Sequence, residues 1–125
     1  MKLLKILEEE NIHVIIGIGP SETSFSKIYP ILYRLSRKYK RRRFTIHVVS
    51  NKPRPLYLEE LRDLILNNIT YTFVLRYHGY SPEGIENIVN LARESGSPVY
   101  GIVLGDFQEV SHVLESLGVE HEVLG

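Results

Sequence analysis

Residues 12–18 read Ile-His-Val-Ile-Ile-Gly-Ile, a nearly unbroken run of apolar β-formers. A strand wet on one face alternates apolar with polar residues, so a run of this kind fits a strand covered on both faces. Such strands belong to parallel sheets with helices packed on each side. The rest of the chain keeps the same rhythm, with strands predicted over 44–49, 70–77 and 99–104 and a short edge strand over 119–124. Between them run apolar stripes: Phe25, Ile28, Leu32, Leu35 and Tyr39; Leu58, Leu61, Leu64 and Ile65; Ile85, Ile88, Val89 and Ala92; and Phe107, Val110, Leu114 and Leu117. Each stripe has the spacing of one helical face. Leu3, Leu4 and Leu7 predict a further short helix before the first strand. Pro30 requires its helix either to begin there or to kink. Ser81 is a natural N-cap, with Pro82 at the first helical position and Glu83 in the first turn. Gly96 and Gly118 follow the last apolar positions of their helices and close them.

Strands alternating with helices imply right-handed crossovers. The expected fold is α/β: a three-layer, doubly wound, five-stranded and mostly parallel sheet, flavodoxin- or Rossmann-like, in one domain over 1–125. In such sheets ligands sit beyond the carboxyl ends of the strands.

Composition narrows the function. Fifteen basic and 15 acidic side chains give a net charge of zero, so no global field points to nucleic acid or an anionic membrane. The absence of cysteine excludes disulfides and thiolate metal sites. No apolar run approaches the ~20 residues of a membrane helix. The early acidic run Glu8-Glu9-Glu10 argues against a signal peptide. A soluble, cytoplasmic protein without membrane contact is expected. Nothing in the sequence requires a cofactor.

Two loops carry the candidate chemistry. Gly17-Ile18-Gly19-Pro20-Ser21-Glu22-Thr23-Ser24 follows the first strand. Gly17 and Gly19 let backbone approach a ligand, and free N–H groups at the next helix start favour an anion. Ser21, Thr23 and Ser24 add hydroxyls. A dinucleotide fingerprint lacks its third glycine here, and no Gly-Lys-Ser/Thr follows as a P-loop needs. The second loop, Arg76-Tyr77-His78-Gly79-Tyr80-Ser81-Pro82-Glu83, is expected beside the first. Both loops also fit ordinary capped helix starts.

Together these loops resemble the sugar isomerase (SIS) family of phosphosugar isomerases and phosphosugar-binding regulators. That family opens with a strand and a Gly-x-Gly-x-Ser turn, matched by Gly17, Gly19 and Ser21. Its third strand runs into Ser-x-Ser-Gly-x-Thr-x-Glu. Here Gly79 and Glu83 match, Ser81 stands for the threonine, and Arg76 and His78 replace the two serines. The likeness covers residues 12–105. It implies a sugar phosphate held by Gly17, Gly19, Ser21, Thr23, Ser24, Arg76, His78, Gly79 and Ser81, and a homo-oligomer. The family's catalytic glutamate and histidine lie outside this core or on a partner subunit, so the resemblance assigns no catalytic residue. Glu83 is the one nearby carboxylate. A basic pair can hold phosphate by charge where the family uses neutral hydroxyls.

None of the five histidines, His13, His47, His78, His112 and His121, pairs with another at His-x-x-x-His spacing, so no metal site is expected. His13 and His47 fall within strands, where a hydrogen-bonded structural role is expected. His78 should face the site as a candidate acid, base or phosphate contact. The stretch Arg37-Lys38-Tyr39-Lys40-Arg41-Arg42-Arg43 is the one strong charge cluster. Lys38, Lys40, Arg41, Arg42 and Arg43 fit either a nucleic-acid patch or cations complementing a helix C-terminus. Besides sugar-phosphate binding, with or without isomerisation, three alternatives stand. They are a nucleotide- or cyclic-oligonucleotide-sensing module, a nucleic-acid-binding protein, and a scaffold that binds nothing.

Overall fold

A computed structural model of the chain describes residues 11–19, 28–39, 43–51 and 73–124. The helices expected around Leu3, Leu4 and Leu7 and around Leu58, Leu61, Leu64 and Ile65 lie outside these residues, as does the expected start of the third strand at 70–72.

The described elements run β1 (Asn11–Ile18), α1 (Tyr29–Lys38), β2 (Arg43–Ser50), β3 (Phe73–Gly79), α2 (Pro82–Glu94), β4 (Val99–Leu104), α3 (Gln108–Ser116) and β5 (His121–Leu124). The strands form one sheet in the order β3-β2-β1-β4-β5, and every pairing is parallel. This is the Rossmann order carried through five strands, with the topological switch between β1 and β4. β5 lies at an edge, as expected from its length. No described helix is long and apolar enough to cross a membrane.

Each face of the sheet has its own core. On one, Ile12, Val14, Ile16 and Ile18 join Phe44, Ile46, Val48, Ile102 and Leu104 beneath Ile31, Leu32 and Leu35 of α1. On the other, Ile15, Val49 and Val103 meet Ile85 and Val89 of α2 and Val110 and Leu114 of α3. Burial on both sides explains why β1 reads as a continuous apolar run.

Local signals place the helix ends. Pro30 lies in the first turn of α1, where its missing N–H is no loss. The helix therefore begins late and does not kink. The Ser81 hydroxyl accepts the Gly84 N–H at 2.8 Å and caps α2. β3 departs from expectation, since it continues through His78 and Gly79, which pair with Val49 and Ser50. The ladder with β2 holds in strand form what the sequence suggests is loop. Two side-chain ties fasten the other edge. Arg34 of α1 and the Tyr100 hydroxyl both bond the Glu122 carboxylate on β5. The Ser111 hydroxyl of α3 lies 3.1 Å from His121 Nε2, while His121 Nδ1 donates to the Val119 carbonyl at 3.0 Å.

Candidate functional site: a histidine row on the sheet face

Alternation along three adjacent strands sends His13 of β1, Thr45 and His47 of β2, and Arg76 and His78 of β3 to the α2 side of the sheet. Register aligns His13 with Thr45 and His47 with Arg76. The imidazoles join one step further along each strand. His13 Nδ1 lies 2.9 Å from His47 Nε2, and His47 Nδ1 lies 3.0 Å from His78 Nε2. Ring centroids are 5.2 Å apart in both pairs. The result is a diagonal row across the sheet.

The chain of hydrogen bonds continues past His13. Thr45 Oγ1 donates to Asn11 Oδ1 at 3.2 Å, and Asn11 Nδ2 lies 3.3 Å from His13 Nε2. An amide nitrogen only donates, so His13 Nε2 accepts and its proton sits on Nδ1. That N–H points at His47 Nε2, which puts the His47 proton on Nδ1 and directs it at His78 Nε2. His78 is then left with its own N–H on Nδ1. One amide orientation thus sets three tautomers, and turning the Asn11 amide over would reverse every donor.

This logic needs uncharged rings, and the surroundings supply them. Burial is the main force lowering the pKa of all three. The Arg76 guanidinium pushes His13 and His78 the same way. His47, in the middle, feels burial, both neighbouring imidazoles and Arg76, and falls to about 3. It is only 6% exposed. At neutral pH the row is therefore uncharged, and each shared nitrogen pair keeps one donor and one acceptor.

The row floors an open pocket of about 340 Å³ lined by Asn11, His13, Thr45, His47, Arg76, His78, Ile88 and Leu91. No carboxylate is among these residues. Ile88 and Leu91 of α2 make an apolar wall, and Leu91 is 64% exposed. Arg76 is exposed, and among the described residues no carboxylate forms a salt bridge with it. A guanidinium fork beside imidazoles, with no acid among the described residues to neutralise it, is chemistry for an anion. The imidazoles stand in line and do not converge. Among the described residues no group of three or more His, Cys, Asp or Glu could hold a metal ion.

The residues singled out from sequence meet different fates. Arg76 and His78 line the pocket, though from a strand. A Cβ on Gly17 would lie 2.8 Å from Val110 Cγ1, and one on Gly19 would lie 2.9 Å from the Asp106 carbonyl. Both glycines therefore serve the close packing of β1 against α3 and the β4–α3 turn. Ser81 is occupied as a helix cap. Gly79 is open, with nothing near a Cβ built on it. Ser21, Thr23 and Ser24 lie outside the described residues, as do Lys40, Arg41 and Arg42 of the basic cluster. Lys38 and Arg43 are exposed at the strands' amino ends, and the Lys38 ammonium lies 5.3 Å from the centre of the Tyr39 ring. The strands that lead into these two loops, β1 and β3, are not neighbours, because β2 runs between them. What sequence reasoning missed is the meeting of His13 and His47 with His78. The available signal was parity, since His13, Thr45, His47, Arg76 and His78 fall on one face once the strands are aligned.

No protein-family model, curated protein or solved structure matches the chain.

Proposed function

We propose that this protein binds a phosphorylated small molecule, with the anionic group on Arg76 and His78 in the histidine-floored pocket. The observation that carries the proposal is the exposed Arg76 guanidinium, without a carboxylate partner among the described residues, in a pocket whose lining contains no acid. Planar guanidinium groups hold phosphate through paired N–H donors. The His78 Nδ1–H adds a neutral donor. A sugar phosphate is the ligand that the resemblance to the SIS family implies, and a homo-oligomer in the cytoplasm belongs to the same proposal. Glu83 is the carboxylate that the second loop offers for isomerisation, but it does not line the pocket.

A nucleotide is the second reading, and the wall of Ile88 and Leu91 favours it. A sugar phosphate offers that wall little apolar surface, whereas a base would cover Leu91. Calorimetric titration with ribose 5-phosphate, AMP and inorganic phosphate separates the two. All three should bind, and R76Q should weaken each at least tenfold, the order expected for a lost charge-assisted pair. Tighter binding of AMP than of ribose 5-phosphate would select the nucleotide. Equal affinity of R76Q and the parent chain for all three would remove the pocket as the site.

A further inference from the structure

The row has a property that anion binding alone does not need. Each ring of His13, His47 and His78 shares a nitrogen with the next, and the central ring has a neighbour at both of its nitrogens. A charged imidazole has two N–H donors. At His47 both would find acceptors, Nδ1 of His13 and Nε2 of His78. For His13 to accept there, its own proton must move to Nε2, and the Asn11 amide must turn over to receive it on Oδ1. Thr45 then accepts from the amide nitrogen. All four hydrogen bonds of the row are kept in this second state.

We infer that the pocket takes up its anion together with one proton, which is held on His47 between His13 and His78. This rests on the anion-binding reading above. Without an anion the charged state is disfavoured, because His47 is buried and Arg76 and the neighbouring imidazoles oppose a positive charge there. Among the described residues, the groups facing His47 are His13 from β1, Thr45 from its own strand, Arg76 and His78 from β3, and Ile88 and Leu91 from α2. None of these is an acid. A bound dianion brings the missing negative charge. It offsets Arg76 and stabilises an imidazolium a few ångströms away. Protein and ligand are linked through the proton, so affinity rises as pH falls. The ligand class is therefore a dianion, such as a phosphate monoester, in preference to a singly charged carboxylate.

Sulfate is the probe, because it stays a dianion across the whole range and any pH dependence belongs to the protein. Titration of the full chain with sulfate from about pH 7 to about pH 4.5, in buffers of different ionisation enthalpy, reads affinity and proton count together, because an anion beside the row raises the His47 pKa by about 1–3 from its value of about 3. Affinity should rise toward acid, by up to about tenfold per pH unit, with proton uptake approaching one for each sulfate bound at the acid end. Nitrogen-15 spectra should show both His47 ring nitrogens protonated in the complex. H47Q, which keeps an amide donor and acceptor but cannot charge, should lose the uptake. The proton count is read on the unmodified chain, so it stands if H47Q fails to fold. Sulfate binding with constant affinity and no proton uptake overturns the inference and leaves the anion site intact. If neither sulfate nor inorganic phosphate binds, the anion-binding reading falls and takes this inference with it.

Discussion

Replacing His47 by glutamine should flatten the acid limb of the stability curve. In the folded chain His47 is held down at about 3, against an ordinary value of 6.5. Once unfolded it returns to the ordinary value. Between those limits the unfolded chain binds a proton that the folded chain refuses, so stability is full above about pH 6.5 and drains away as the pH falls toward 3. The slope for one proton is about 1.4 kcal/mol per pH unit. From about pH 6.5 to about pH 4.5 the loss through His47 is therefore on the order of 2–3 kcal/mol, a large share of a small domain's total. His13 and His78 are lowered too and steepen the same limb, so the difference between the parent chain and H47Q isolates the central ring. Urea unfolding at about four pH values across this window measures both curves. H47Q should be the less stable of the two at neutral pH, where it leaves less ideal partners for two rings, and the curves should converge in acid. Parallel curves, or a His47 titration near 6.5 in the folded protein, would refute the burial argument.

Two other substitutions separate packing from ligand contact. G17A places a methyl 2.8 Å from Val110 Cγ1 and should cost about 1–3 kcal/mol by overpacking, with V110A restoring part of it in thermal unfolding. S81A removes the cap on Gly84 N–H and should cost about 1 kcal/mol. It should leave phosphate affinity unchanged, and a calorimetric loss of binding would instead return Ser81 to the ligand.

The layered α/β fold was legible because its signals are local and repeated. A two-sided apolar strand, Ser81-Pro82 at a helix start and Gly96 past a helix end each have one good structural answer. The site was less legible, since its members come from three strands, and His13, His47 and His78 are separated by 34 and 31 residues. Local reasoning gave His13 and His47 private structural roles and set His78 apart as a site candidate. Only strand order and register show that they share one. Gly17 and Gly19 raise the same difficulty. A glycine needed for helix packing and one needed for a phosphate look alike in sequence, and only the positions of Val110 and Asp106 tell them apart. Arg76 and His78 were found by the motif they break, yet they line the pocket from the sheet face and not from a loop.

The direction of the hydrogen-bond chain has an electrical consequence. With the Asn11 amide nitrogen toward His13, the N–H bonds of His13, His47 and His78 all point from β1 toward β3. Their dipoles add in a partly buried setting, where polar groups in series reinforce one another. The positive end of that line emerges beside Arg76. Asn11, at the far end of the pocket and of no obvious use to a ligand, thereby decides the sign of the potential that a ligand meets. Aspartate in its place could only accept from His13, which would turn the line around and present a bare nitrogen to the proposed anion.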